Sequence, residues 1–249
     1  MNKTMKILLS GFNGHMGKEV AALCAAGYRG AELAVGVDIV PTEAAVPVYT
    51  DFNAIKEKAD VIVDFSHHSA IVPLLAYAKR TKTPVVVATT GQNEAELAAI
   101  TEAAKEIPVF FSANMSYGVA LLLELAKKTA AALPEAEIEI IEKHHDRKID
   151  APSGTALMLA NGIMEVRPEA FTVMGRSGHA PRTKAEIGIH SLRMGNVVGE
   201  HEVIVATQNQ TITLKHEAHS RALFAEGALA AAAFLCGKEA GLYSMKDMV

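Results

Sequence analysis

The sequence predicts an α/β chain: a parallel sheet with helices on both faces, followed by an α+β domain with an antiparallel or mixed sheet. Three observations predict it. Short β-branched runs alternate with Ala-rich helical runs through the first half. A glycine-rich turn joins the first of those strands to the first helix. In the second half, the strand-like runs 186–193, 201–207 and 211–217 follow one another with no long helix between them.

The elements follow in order. Lys6 to Ser10 reads as a strand, and Met16 to Ala26 as a helix stopped by Gly27. Leu33 to Asp38 is a second strand. Asp60 to Phe65 is a third, apolar without alternation in its middle, as a strand buried on both faces should be. Ser69 to Lys79 is helical, with Ser69 as its expected N-cap. Pro84 to Ala88 is a strand. Asn93 to Glu106 is a helix opened by Asn93 and Glu96 at capping-box spacing, and Val109 to Phe111 is a strand. Val119 to Ala132 is a long helix ended near Pro134, and Glu137 to Glu142 a further strand. Gly195 and Gly199 mark one turn among the later strands, and Gln208–Gln210 another. Ser220 to Leu235 is a closing helix that is expected to return to the first domain. The expected boundaries are 1–116 with 220–249 for the first domain and 117–219 for the second.

Composition narrows the function classes. The chain has 249 residues, half of them apolar and about a fifth charged, enough for a large folded core. A net charge of -4 gives no electrostatic reason to expect nucleic acid. No apolar run reaches the roughly 18 to 20 residues of a membrane span. No signal-peptide pattern precedes Lys6. Cys24 and Cys236 are expected as buried thiols in helix-like stretches. A cytoplasmic, reducing setting is the expectation.

Gly11-Phe12-Asn13-Gly14-His15-Met16-Gly17 stands where a Rossmann-like domain places a dinucleotide pyrophosphate. Small residues let the backbone approach phosphate, and the helix start offers N–H groups. The spacing is G-x-x-G-x-x-G rather than G-x-G-x-x-G, so the flanking order of strand, turn, helix, strand and acid carries the reading. Asp38, at the end of the second strand, suits the adenine-ribose hydroxyls. Ile39 and Val40 follow it, with no arginine for a 2′-phosphate, which favours NADH over NADPH. Later strand ends face the same crevice. Ala88-Thr89-Thr90-Gly91 and Ser112-Ala113-Asn114-Met115-Ser116 are therefore candidates for the nicotinamide, or else ordinary loops. His67 and His68 are expected as solvated loop histidines.

The run Glu142 to Ala156 is the densest cluster of chemistry. His144, His145 and Lys148 can converge on one ligand. A desolvated lysine donates a proton readily, and histidine relays one near neutral pH. Ser153-Gly154-Thr155 opens a helix whose first turn suits a carboxylate. An acid beside a carboxylate site suits reduction of a polarised double bond, with hydride going to carbon and a proton coming from the protein. Lys148 could instead simply pair with Asp146 or Asp150. Adjacent histidines are poor zinc spacing with no third ligand near in sequence, so no metal is expected.

That run, with its H-H-x-x-K-x-D-A-P-S-G-T-A core, closely resembles the signature of the 4-hydroxy-tetrahydrodipicolinate (dihydrodipicolinate) reductases. Gly11–Gly17, Val63–Ser66, Thr89–Gly91, Ala113–Val119 and Gly195–His201 extend the resemblance over essentially the whole chain. The resemblance implies reduction of a cyclic dicarboxylate imine by NADH or NADPH in the diaminopimelate route to lysine. It implies that His144 is a proton donor or acceptor, that Lys148 is a proton donor, and that His145 contacts substrate. Gly154 and Thr155 would hold a substrate carboxylate. Cofactor contacts would fall on Gly11, Phe12, Asn13, Gly14, His15, Met16, Asp38, Ala88, Thr89, Thr90, Ser112, Ala113, Asn114 and Met115. It also implies a homotetramer built through the sheet of the second domain. The mechanism expected of these residues has the nicotinamide facing the 144–155 segment across an interdomain cleft. Ala88 stands where the family usually has Gly, Met115 where Phe is common, and Ile39 where a cation often follows the ribose carboxylate.

Overall fold

The structure, a computed structural model, describes residues 4–249. It divides into two units. The first runs to Ser116 and resumes from Ala222 to Met248; the second comprises Tyr117–Arg221 and Val249.

The first unit is built on seven parallel strands. In chain order these are β1 (Met5–Ser10), β2 (Ala31–Val37), β3 (Val48–Tyr49), β4 (Val61–Asp64), β5 (Val85–Val87), β6 (Pro108–Phe111) and β12 (Gly241–Tyr243). They lie side by side in the order β12-β6-β5-β4-β1-β2-β3. β1 pairs with β2 on one side and β4 on the other, so the strand order reverses at β1. Connections then leave toward opposite faces and a crevice opens at the carboxyl ends of the strands. Ile7, Leu8, Leu9, Val61, Ile62 and Val63 are wholly buried, as consecutive apolar strand residues covered on both faces must be. Truncating one of them, such as Ile62→Ala, would cost about 2–5 kcal/mol.

The helices α1 (His15–Ala25), α2 (Ile71–Thr81), α3 (Glu94–Ala103) and α6 (Ala222–Leu235) cover this sheet. α1 packs on α6, and α2 on α3. Gly27 takes the left-handed conformation, φ 67°, that ends α1. The capping box of Asn93 and Glu96 is complete, each side chain bonding the other residue's backbone N–H. α6 bears eight buried residues, five of them alanine, so it sits close against the sheet.

Two expectations need correction here. Ser69 does not cap a helix. His67 caps a short 3₁₀ turn, His68–Ala70, its ring accepting the Ser69 N–H, and α2 starts only at Ile71. The imidazole offers an acceptor as good as a serine hydroxyl, a competition that residue type alone does not reveal. Cys236 is exposed while Cys24 is buried, because Cys236 lies one residue beyond the end of α6. Burial pushes the Cys24 thiol up to about 11, which keeps it protonated. The strand-like alternation also gave no notice of β3 or β12, whose pairing is supplied by neighbours rather than by their own pattern.

The second unit is a mixed sheet under two helices. Its elements are α4 (Tyr117–Ala132), β7 (Glu137–His144), α5 (Gly154–Val166), β8 (Phe171–Met174), β9 (Glu186–Arg193), β10 (Gly199–Ala206) and β11 (Thr211–Ala218). The order is β11-β10-β7-β9-β8, antiparallel among the first three strands and parallel between β7, β9 and β8. Ile138, Ile140, Ile187, Ile189, Val203 and Val205 form one apolar core with Leu123, Leu159 and Ile163 of the helices. Gly162 lets α5 approach α4: a Cβ there would stand 2.4 Å from the Leu123 side chain. Gly195 has φ 52° and makes the β9–β10 turn, but Gly199 belongs to β10 rather than to that turn. Among the described residues no helix is long and apolar enough to cross a membrane.

Candidate active site

In the first unit the glycine turn is shaped by backbone contact. Gly11 has φ 84°, and a Cβ on it would stand 2.5 Å from the Phe65 carbonyl oxygen. A Cβ on Gly17 would stand 2.2 Å from the Gly11 carbonyl oxygen, so α1 can start this close to the turn only with glycine there. Gly14 precedes α1 and no side chain caps the helix. Asp38 lies just beyond β2. One carboxylate oxygen accepts the Asn13 N–H at 2.8 Å, the other the Val40 N–H at 3.1 Å. Asn13 in turn donates to the Val40 carbonyl at 3.0 Å and accepts from Thr42 at 2.9 Å. The acid thus ties the glycine turn to the loop after β2.

Two cavities follow from this geometry. One, of about 830 Å³, is lined by Gly11, Asn13, Gly14 and Asp38, together with Ile39, Val40, Asp51, Phe52, Ser66 and His67. The second, of about 340 Å³, is lined by Met16, His67, His68, Ala88, Thr89, Thr90, Ala113, Met115 and Phe224. Of the sequence-predicted cofactor residues, Phe12, His15, Ser112 and Asn114 line neither. The Phe12 ring packs on β2 at Gly36, where a Cβ would come within 2.6 Å of it. His15 is exposed. Ser112 and Asn114 bond each other, the Ser112 hydroxyl donating to the Asn114 carbonyl at 2.7 Å.

His67 and His68 are more than solvated loop residues. Their rings lie 4.1 Å apart, and His68 Nδ1 bonds Glu96, whose carboxyl is held below its ordinary range first by that contact and then by the Asn93 N–H. Asp64, wholly buried at the end of β4, accepts from Thr89 at 2.7 Å and from Ser66 at 2.6 Å. Burial pushes its carboxyl up against those hydrogen bonds. Thr89 is thereby fixed in orientation in the wall of the second cavity.

In the second unit β7 determines the site. Its buried face reads Ile138, Ile140, Glu142, His144, so the apolar row turns ionisable at the end of the strand. Register supplies the partners: Glu142 lies opposite His201 of β10 and Ser191 of β9, and His144 opposite Arg193. The wholly buried Glu142 accepts both Arg193 terminal nitrogens, at 2.7 and 3.0 Å, and the Ser153 N–H at 3.1 Å. It also bonds His144 Nδ1. Burial alone would raise the Glu142 carboxyl. Hydrogen bonds from Arg193, Ser191 and His144 outweigh it and hold the group at about 2. His144 is held below the usual histidine range chiefly by burial, opposed by Glu142 and reinforced by the charges of Lys148 and Arg193. It is neutral at pH 7.

His201 is the neighbour that sequence reading missed. Its Nε2 bonds the Ser153 hydroxyl at 3.0 Å, and its ring meets that of His144 edge-on at 5.2 Å. Burial, then the neighbouring His144, lowers it to about 4. Ser153 caps α5 by accepting the Ala156 N–H, which places Gly154 and Thr155 at the helix start. Lys148 pairs with Asp150 at 2.7 Å, the bland arrangement the sequence left open, and its side chain is 22% exposed. It is therefore accessible as well as paired. His145 Nδ1 is buried without a protein partner.

Glu142, His144 and His201 present ligand-type atoms within 4.8 Å of one another, a third partner that sequence spacing did not offer. Glu142 already meets a half-buried guanidinium twice, and that charge opposes a cation. The signal that could have found the cluster is the strand alternation itself. A Glu and a His two apart on the buried face of β7 demand partners from the strands beside it.

Sequence comparison agrees with this architecture over its full length. Residues 5–115 match the family model described as dihydrodipicolinate reductase, N-terminus, and residues 118–249 the model for its C-terminus. A 4-hydroxy-tetrahydrodipicolinate reductase of Caldanaerobacter subterraneus subsp. tengcongensis is 49% identical over 98% of both chains. One from Clostridium tetani is 44% identical, over 98% of this chain and 97% of its own. Among solved structures, a dipicolinate-bound dihydrodipicolinate reductase from Paenisporosarcina sp. TG-14 superposes with a TM-score of 0.84 at 25% identity, covering 99% of this chain and 100% of that one. The chain belongs to the dihydrodipicolinate reductase family.

Proposed function

We infer that this protein reduces 4-hydroxy-tetrahydrodipicolinate to tetrahydrodipicolinate with a nicotinamide dinucleotide, in the diaminopimelate route to lysine. Family membership over both units carries the reaction. Within the chain, the observation that supports it most is the neutral His144, anchored by Glu142, in the same short segment as Lys148 and the start of α5.

The glycine turn and both cavities of the first unit fit a dinucleotide. Gly11, Asn13 and Gly14 would hold the pyrophosphate against the uncapped start of α1, with Asp38 on the adenine ribose. Met16, Ala88, Thr89, Thr90, Ala113 and Met115 would surround the nicotinamide end. The reduced nicotinamide supplies the hydride. NADH is the preferred form: the larger cavity is lined by two carboxylates, Asp38 and Asp51, and among the described residues by no lysine or arginine, so a 2′-phosphate would meet repulsion there.

The second unit would hold the dicarboxylate. Gly154 and Thr155, at the start of α5, take one carboxylate, with His145 in the same short segment beside it. Lys148 gives up its contact with Asp150 and supplies the proton that completes reduction. His144, with Nδ1 engaged by Glu142, keeps Nε2 for orienting or relaying that proton. The dipicolinate bound to the Paenisporosarcina reductase supports a small cyclic diacid as ligand.

Assembly as a homotetramer through the five-stranded sheet, in the cytoplasm, completes the proposal. α4 and α5 line one face of that sheet with apolar residues, while the half-buried Lys143 and Glu200 form a charged ladder with the exposed Lys215. Light scattering that returned a monomer would remove the assembly claim.

The reaction is tested by following NADH oxidation with and without the cyclic dicarboxylate. Oxidation that requires it is expected. Tight NADH binding with no oxidation would instead identify a dinucleotide-sensing module.

A further inference from the structure

We propose that Glu142, clamped by Arg193, is the positioning residue that fixes the tautomer of His144 and presents its Nε2 as the working nitrogen. The proposal rests on the reductase reading for the role of His144, but its core is a statement about a buried side-chain network. Glu142 is wholly buried and accepts two hydrogen bonds from Arg193, one from the Ser153 N–H and one from His144 Nδ1. A carboxylate accepts and does not donate, so the proton between Glu142 and His144 sits on Nδ1. Nε2 is then the nitrogen with a lone pair. It lies beside Gly199 of β10, where an added Cβ would approach it to 3.1 Å, so a side chain at that position would crowd it.

Arg193 decides what kind of orienting group Glu142 is. A lone buried carboxylate against an imidazole favours the charged imidazolium. Here the bidentate guanidinium offsets part of that carboxylate's pull and burial of the ring outweighs the rest, while Arg193 itself is held in place by the Asp150 carbonyl at 2.7 Å. The groups facing His144 are Glu142 on its own strand, Arg193 on β9, His201 on β10 and Lys148 in the following loop. Three of these four are cationic or stay neutral, and the one anion is already paired. Glu142 therefore orients the ring without charging it. A ring held neutral and in one tautomer can accept a proton at Nε2, or hand one on, with no reorganisation of its surroundings. His201 completes the set by bonding Ser153, whose backbone N–H also donates to Glu142, so the helix that starts the carboxylate site and the histidine share one anchor.

Nitrogen NMR of side-chain histidines in the wild-type protein tests the core directly, because it depends neither on turnover nor on a variant folding. At neutral pH, His144 is expected as the Nδ1–H tautomer; an Nε2–H tautomer overturns the proposal. Kinetics of Glu142→Gln test its consequence. The amide keeps the shape and an acceptor but removes the charge. An order-of-magnitude loss, about 10–100-fold in kcat, is expected, with the KM for the dinucleotide unchanged. The acid limb of the pH profile should also move to lower pH, since Glu142 is the one group that raises His144. Unchanged kcat with an unmoved limb overturns the proposal. If wild-type protein shows the Nδ1–H tautomer but never oxidises NADH with the dicarboxylate, the reductase reading fails while the positioning network stands.

Discussion

The two units build their sites from different materials. The first presents backbone: a glycine turn whose Cβ positions are sterically closed, an uncapped helix start and short polar strand ends. The second presents side chains from three adjacent strands, Glu142 and His144 of β7, Arg193 of β9 and His201 of β10, brought together by register. Backbone is suited to binding a large, constant ligand by shape and hydrogen bonds. Side chains with displaced proton affinities are suited to moving protons. The difference suits the proposed division, with dinucleotide binding in one unit and proton chemistry in the other.

The sharpest way to break that division is Lys148→Ala. It should lower kcat by at least about 100-fold, the usual size of a general-acid effect, while steady-state KM for NADH holds. Asp38→Ala should do the reverse. Losing a charged contact to the ribose hydroxyls should weaken NADH binding about tenfold or more, narrow the preference over NADPH and leave kcat near its starting value. Calorimetric titration of both cofactors checks this. Thr155→Val should raise KM for the dicarboxylate by about tenfold with NADH binding unaltered, because it removes a hydroxyl at the start of α5.

A smaller effect separates the units by stability rather than rate. His201 takes up its proton near pH 6.5 when unfolded but only at about 4 when folded. The unfolded chain therefore binds more protons between those values, and wild-type stability falls as pH drops through them. His201→Gln, which keeps a partner for Ser153, should flatten that part of the denaturation profile. A wild-type profile as flat as the variant's would show that His201 is not held neutral. The smallest effect expected is that of Gly199→Ala. Its methyl would press on His144 Nε2 at 3.1 Å and should cost a few-fold in kcat, read in the same NADH assay.

How much of this was legible beforehand follows the same division. The glycine turn, Asp38 and the strand–helix alternation could be read because each is local: residue type and spacing along the chain encode the backbone path. His144, Lys148 and Thr155 could be singled out as candidates because they share one continuous run. Arg193 and His201 could not, since nothing near them in sequence states which strand they will pair with. Phe12 and His15 mark a limit of motif reading. They fall inside the glycine motif, yet the turn directs the Phe12 ring against Gly36 and leaves His15 exposed. A motif fixes where the backbone goes and does not fix where each side chain points. His67 and His68 were read as solvated because a loop position gives no hint that Glu96, on α3, will reach back to one of them.

The most direct test of the division between the units is a crossed measurement: the NADH dissociation constant and kcat, determined side by side for Lys148→Ala and Asp38→Ala. The account predicts that the first variant loses kcat and keeps NADH affinity, and that the second loses affinity and keeps kcat. Near-normal turnover in Lys148→Ala, or loss of NADH binding in that variant, would contradict it.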